Sequence, residues 1–339
     1  MVRGGAQGGG RRRPLPDRHP VPDFFLCDIL DALPKDDMAS MEHPLFSLAT
    51  RPDLRVLRYA HNGVEITVTP SVRGLATLFD KDILIYCTSQ LMAALNAGRP
   101  VARTLHLTAH DLLVATNRET SGDGYARLRE AFERLAGTRI TTNIVTGGVE
   151  TTTGFGLIEA WSIVRHTRGG RMVQVTVTLS DWLYRAVLSH AVLTLSRDYF
   201  RLRKPIERRV YELARKHCGR QPEWRVSIAT LALKSGSASP LRVFRRMIRD
   251  MIAADPLPDY RLAEEAGDIL CVTRRAGAGE GPPPPLRAAT IEAARALAPG
   301  ADIYARIAEW HAVWAASGRP RLRAPDAAFL GWLRRRSPG

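Results

Sequence analysis

The sequence predicts an α+β fold: two tandem winged-helix domains related by internal duplication, with a disordered N-terminal tail and a helical C-terminal extension. Three observations carry that expectation. First, residues 226–252 read as helix, tight turn, helix. Ser227 suits an N-cap and Gly236 a helix stop. Ser239 is placed to cap the second helix, with Pro240 at its first position, where a missing N–H costs nothing. Leu241, Phe244, Ile248 and Met251 form one apolar stripe, and Arg242, Arg245, Arg246 and Arg249 fall on the opposite face. Second, the pattern recurs. Leu107 and Leu112 match Val226 and Leu231 at an offset of 119, and Leu128, Phe132 and Leu135 match Phe244, Ile248 and Met251 at an offset of 116. The difference is read as a longer turn in the first copy. Third, β-like segments follow each helix pair and complete a strand, helix, turn, helix, wing order. Any single arginine on such a helix is explained by a solvated face. Four on one face beside this turn favour a DNA major-groove reader.

Length and charge bound the function classes. At 339 residues the chain has room for two ordinary domains. It is 45% hydrophobic, enough for real cores, and carries a formal charge of +15 with a pI of about 10.4. That balance suits a polyanionic partner, nucleic acid before an acidic membrane. No run of about 18 apolar residues occurs, so no membrane span is expected. The start, MVRGGAQGGGRRRP, has no apolar segment behind its arginines and does not read as a secretory signal. Cys27, Cys87, Cys218 and Cys271 are scattered without a CxxC pair. They fit reduced thiols in a cytoplasmic protein and not a zinc site or disulfide frame.

The elements follow in order. Residues 1–23 are rich in Gly, Arg and Pro and are expected to be disordered, with Arg11 to Arg13 in a solvated tail. The first domain spans 24–168 and begins with an ordered arm to Phe46. Val64, Ile66 and Val68 alternate with Glu65 and Thr67, a half-buried strand. Lys81 to Ala97 suits a helix stopped by Gly98. Thr108 to Asp111 opens a second helix in capping-box fashion, running to about Asn117. After the polar turn RETSGDG, Tyr125 to Ala136 forms a third helix. Thr138 to Val145 and Gly156 to Arg165, joined through Gly147-Gly148, read as the first wing. The second domain spans 169–276. Val173, Val175, Val177 and Leu179 alternate strictly with polar residues, and Ser180 caps a short helix. Lys204 to His217 is a helix entered through Pro205, with Ile206, Val210, Leu213 and His217 inward and Arg208, Arg209, Arg215 and Lys216 elsewhere on its surface. Asp259 to Arg275 gives two strands around Ala266-Gly267-Asp268, the second wing. A Gly/Pro linker, 277–285, leads to a helical extension, 286–339, with Tyr304, Ile307, Trp310 and Trp314 roughly on one face.

The copies differ in charge. The second helix of copy one carries Arg127, Arg129 and Arg134 but also Glu130 and Glu133, whereas its counterpart has four arginines and only Asp250. Phosphate attraction needs uncompensated positive charge. Copy two is therefore the expected DNA reader, and copy one is suited to dimerisation through 138–165 with auxiliary DNA contacts from Arg127 and Arg129. The candidates for base reading are Arg242, Arg245, Arg246 and Arg249, with Lys234, Ser237 and Ser239 in and beside the turn. Arg201, Arg203, Lys204, Arg208 and Arg209 are expected to grip phosphates. Arg274 and Arg275, at the end of the wing, are placed to track the backbone or minor groove. On this reading Arg245→Ala relaxes base preference, and Arg208→Ala weakens all sequences alike.

Catalytic chemistry is not expected. No GxxxxGK[ST] occurs, so ATP hydrolysis is not anticipated. A nicking enzyme would need a His-apolar-His metal pair and a tyrosine, and His106 and His110 have the wrong spacing. Glu42-His43 and His217-Cys218 read as packing or surface residues, and Gly154-Phe155-Gly156 is too short for a dinucleotide site. Asp80 and Asp82 suit a helix start, where acids complement the dipole. No cofactor, metal or enzymatic activity is expected. The competing readings are a winged-helix transcriptional regulator and, further off, a nicking or strand-transfer enzyme.

Four long blocks also resemble a known family. They are DILDALPKDDMASMEHPLFSLAT (28–50), VTPSVRGLATLFDKDILIYCTSQLMAALNAG (68–98), HDLLVATNRETSGDGYARLREAFERLAGTRITTNI (110–144) and DYFRLRKPIERRVYELARKHCG (198–219). They look like the plasmid replication initiator protein A family over roughly residues 24–275. The resemblance implies two winged-helix domains, binding of double-stranded DNA at origin repeats (iterons), and the start of plasmid replication with host factors. In the wider class of such initiators the first winged helix mediates homodimers and the second reads the major groove. Dimers then repress the initiator's own gene while monomers open the origin. The resemblance carries no catalytic motif and does not include the Gly/Arg start or the polyproline linker.

Overall fold

The computed structural model describes residues 15, 16, 18, 26–28, 44–61, 64–96, 99–146, 149–165, 172–188, 193–218, 221–275, 283–316, 322 and 324–336. The expected tail disorder, the Gly98 stop, the Gly147-Gly148 turn, Glu42-His43 and most of the Gly/Pro linker lie outside them. The fold is mixed α and β. Its elements in chain order are β1 (Leu26–Asp28), β2 (Leu57–His61), β3 (Val64–Thr69), α1 (Lys81–Asn96), β4 (Thr104–Thr108), α2 (Ala109–Ala115), α3 (Gly122–Gly137), β5 (Arg139–Thr146), β6 (Val149–Gly156), β7 (Ile158–Arg165), β8 (Met172–Leu179) and α4 (Asp181–Leu188). There follow β9 (Leu193–Leu195), a 3-10 turn (Arg197–Arg201), α5 (Pro205–Cys218), β10 (Glu223–Ser227), α6 (Ile228–Ser235), α7 (Leu241–Ala254), β11 (Tyr260–Glu265), β12 (Ile269–Arg274), α8 (Ala288–Leu297), α9 (Ile303–Ala316) and α10 (Pro325–Arg336).

The first core gathers two antiparallel sheets, in the orders β2-β3-β5-β6 and β4-β8-β7, around α1 to α4. Two sequence expectations are corrected here. The hairpin expected as a wing is closed differently: β5 pairs with β6, Arg139 opposite Gly156 through Thr146 opposite Val149, and β7 pairs with β8 in the second sheet. Residues 150–153, Glu-Thr-Thr-Thr, show no apolar alternation, so the strand was invisible to periodicity, although threonine suits a strand. The boundary expected between 168 and 169 also falls inside this unit. Strand β8 lies between β4 and β7, and Val175, Val177 and Leu179 are buried in the first core with Leu183 and Val187 of α4. Alternation identified β8 as a strand but cannot say which sheet receives it.

The second core is built from α5, β10, α6, α7, β11 and β12, with strand order β10-β12-β11. Ser227 caps α6 as expected: the Thr230 N–H donates to its Oγ at 3.1 Å. Gly236 ends α6 in the left-handed region at φ 68°. Helix α7 begins one residue later than expected, with Pro240 in the cap position and Ser239 in the turn, its N–H donating to Ser237 Oγ at 3.3 Å. Phe244, Ile248 and Met251 are buried and Leu241 is half-buried. Gly267 and Asp268, at φ 82° and 62°, turn β11 into β12.

The matched residues occupy matched places. Leu107 and Val226 are the penultimate residues of β4 and β10, and Leu112 and Leu231 are buried in α2 and α6. The expected longer turn accounts for little of the offset change: six residues, 116–121, answer five, 236–240, and α3 gains additional helix at its start, where Gly122 to Gly124 are already helical.

The two cores meet along α1 and α5. Ile83, Leu84 and Cys87 of α1 face the first core while Ile85 joins the second. The arm does not simply cover the first unit, because β1 pairs antiparallel with β9, just before α5. Residues of α8 to α10 close a third small core on Trp310, Phe329 and Leu333. Trp310 and Trp314 are buried, but Tyr304 is 63% exposed, because six residues before Trp310 lies about 120° round a helix.

Candidate nucleic-acid interface

The outward face of α7 brings together the four arginines expected to read bases, and they fall into two kinds. Arg245 donates to both carboxylate oxygens of Asp268 at 2.8 and 3.0 Å. Arg249 does the same to Glu264, at 2.8 Å for each bond. These arginines hold the Asp268 and Glu264 carboxyls below their ordinary values. Arg242 and Arg246 are exposed, and among the described residues neither has a carboxylate partner. Helix α7 is thus tied to the β11–β12 hairpin by two of its arginines and presents the other two to solvent.

The turn before α7 is anchored from behind. Lys234 and Ser237 are half-exposed, as is Ser239. The Lys234 carbonyl at the end of α6 accepts from Arg209 Nη2 at 2.7 Å and Nε at 3.2 Å. A Cβ on Gly236 would lie 2.4 Å from Pro44 Cγ and 2.7 Å from Tyr59 Oη, so the first unit packs directly beneath the turn. Burial raises the Tyr59 hydroxyl to about 12.

Two expected phosphate grips are corrected. Arg208 is 3% exposed and Arg209 6%, which removes both from reach of a phosphate. Arg208 donates to Asp82 Oδ1 at 2.6 Å and to the Phe200 carbonyl at 3.1 Å, with its guanidinium over the Phe79 ring at 4.5 Å. Burial works against its charge, but Asp82 and Tyr199 hold the guanidinium protonated above its ordinary value. Lys81 Nζ meets Glu212 Oε1 at 2.8 Å, and Tyr199 donates to the same oxygen at 2.6 Å. Burial pushes the Glu212 carboxyl up, and Lys81 and Arg209 more than reverse it, so it ends below its ordinary value. The sequence reading missed this network because α5 is buried on nearly every side from Pro205 to Ala214. A helix wedged between two cores has no solvent face for periodicity to find. Asp80 does serve the start of α1, accepting from the Thr77 N–H at 2.9 Å, but it also takes both bonds from Arg134. Its neighbour Asp82 is the partner of Arg208 and not a dipole complement alone.

The remaining candidates are dispersed. Arg203 and Lys204 are exposed at the start of α5. Arg201 is half-buried, donating to Asp198 at 2.9 Å and to the Leu15 carbonyl at 2.6 Å. Arg275 turns back to Asp255 and to the Leu257 carbonyl, away from the wing tip, and Arg274 is half-buried. On α3, Arg127 faces Glu119 at 3.9 Å and Arg129 pairs with Glu133 at 3.2 Å. His106 and His110 sit on β4 and α2 respectively, His106 beside Thr176 at 3.2 Å and His110 beside Asp111 at 3.6 Å. No helix among the described residues is long and apolar enough to cross a membrane.

Known proteins share this architecture. The family described as Replication initiator protein A matches residues 35–262. The chain is 37% identical over 260 residues to a putative replication protein of Wigglesworthia glossinidia brevipalpis, covering 75% of this chain and 94% of that one. A crystal structure of selenomethionine derivatives of domains 2 and 3 of RctB has a similar fold, with a TM-score of 0.50 and 12% identity over 70% of this chain and 96% of that chain. Sequence and fold agree, and the chain belongs to the replication initiator protein A family.

Proposed function

We propose that the protein initiates plasmid replication by binding origin repeats (iterons) through α6 and α7, opening the origin and recruiting host replication proteins. The second unit acts as a winged helix. Its order α5, β10, α6, α7, β11, β12 and its sheet order β10-β12-β11 support that reading. The first unit is a modified copy, supported by the matched buried positions on β4, α2 and α3. It contributes homodimerisation, and dimers repress the initiator's own gene.

One observation carries the DNA reading: Arg242 and Arg246 stand exposed and uncompensated on a helix braced from behind, in a chain of this family. Arg203 and Lys204 add phosphate contacts. Neutralising phosphates releases counterions, so affinity falls steeply with salt. The test is titration of the intact chain onto a duplex it selects from a random-sequence pool, and onto a scrambled duplex, at several salt concentrations. A selective preference with a salt slope that shrinks by about one in Arg203→Ala supports the reading. Equal affinity for both duplexes overturns it. A regulator without initiator activity would pass that test but would not support replication of a replicon deprived of its own initiator.

A further inference from the structure

The four arginines of α7 are unequal because of the wing. Arg245 and Arg249 each use two N–H groups to hold a wing carboxylate. Each side-on fork takes Nε and one Nη2 hydrogen, so it fixes where these two guanidinium groups point and leaves them fewer donors for guanine O6 and N7 than the exposed Arg242 and Arg246 carry. Steps of about 100° along the helix place Arg245 and Arg249 on the wing side, Arg242 and Arg246 in the middle, and Val243 beyond them. Arg242 and Arg246, four residues apart, lie about 6 Å from each other along the axis, close to two base-pair steps. Val243 is 39% exposed while Phe244 and Ile248 behind it are fully buried. A lone exposed apolar side chain means little by itself. This one borders the two uncompensated cations of the same helix. In the major groove the thymine C5 methyl is the apolar group that an aliphatic side chain can meet, beside the guanine acceptors that arginine forks.

Resting on the reading of α7 as the groove helix, we infer that sequence is read by Arg242, Val243 and Arg246, with Val243 packed on a thymine methyl adjacent to guanine contacts. Arg245 and Arg249 brace the helix against the β11–β12 hairpin. The recognised word therefore contains a thymine within a base pair or two of a guanine.

The experiment uses the full chain and the duplex it selects from a random pool. Each thymine of that duplex is replaced in turn by deoxyuridine, which removes only the C5 methyl. One replacement is expected to weaken wild-type binding about fourfold, the value of one buried methyl-sized group. Val243→Ala loses that sensitivity, and Val243→Thr, which keeps a branched methyl, retains part of it. Arg245→Ala keeps it in full. Alanine at an exposed helical site does not endanger folding. If no replacement affects the wild type, or if Val243→Ala responds as the wild type does, the inference fails while DNA binding stands. If the pool yields no enriched sequence, the inference and the reading of α7 as a sequence reader both fail.

Discussion

Helices α3 and α7 hold corresponding places in the two units, yet they treat their charges in opposite ways. On α3 the arginines are answered close by: Arg129 by Glu133 on the same helix, Arg127 by Glu119 in the preceding turn, Arg134 by Asp80 at the start of α1. On α7 Arg245 and Arg249 reach across to the β11–β12 hairpin, and Arg242 and Arg246 are exposed. The three-stranded sheets run in the same sense: β4-β8-β7 repeats the order β10-β12-β11, and the first unit adds β5 and β6 in a separate sheet. The first unit answers its α3 arginines with its own carboxylates, whereas α7 leaves Arg242 and Arg246 exposed; under the proposed function, where the carboxylates stand is what separates the two units.

That contrast can be broken most severely at the join. Arg208→Ala leaves Asp82 buried without its close partner, and removing one member of a buried pair costs about 3–5 kcal/mol. Denaturant unfolding of the intact protein should show this loss, while the salt slope of DNA binding, measured below the transition, stays unchanged. A reduced slope with normal stability would return Arg208 to the DNA interface. Next is Gly124→Ala in α3, whose Cβ would lie 1.9 Å from the Glu119 carbonyl oxygen. The forced shift of the α2–α3 turn is expected to destabilise by up to about 3 kcal/mol, with little change in sequence preference. Arg246→Ala sharpens the comparison directly. It should cost about 1–3 kcal/mol on the selected duplex and less on a scrambled one, while Arg129→Ala alters neither by more than a few tenths. Titrations of the two variants side by side decide it.

The smallest effect is on pH. The Asp268 and Glu264 carboxyls lie below their ordinary values because Arg245 and Arg249 hold them. Their contribution is therefore complete above the ordinary carboxylate range, and it disappears as pH falls through the depressed values, below about pH 4. Acid unfolding of Glu264→Gln/Asp268→Asn should begin at slightly higher stability cost near neutrality and show a shallower pH dependence than the wild type below that range. Identical slopes would mean the wing pairs do not hold α7.

The two helix pairs were legible because each buries one stripe against one core, so Phe244, Ile248 and Met251, and equally Leu128, Phe132 and Leu135, keep helical spacing. The Ser227 cap and the Gly236 stop are local chemistry and were readable residue by residue. The brace on α7 was not, since Glu264 and Asp268 approach Arg249 and Arg245 only once the hairpin folds back.

By itself, the sequence determined the elements whose cause is local or periodic: the caps, the amphipathic helices, the alternating strands, the excess of positive charge and the recurrence of one pattern. Only the tertiary structure decided which sheet takes β8, that α5 lies between two cores, and which arginines are available. The physical reason is that a charge is free or neutralised according to what lies within a few ångströms, and residues 23 or 126 positions apart in the chain, as in Arg245–Asp268 and Arg208–Asp82, are brought to that distance by packing alone.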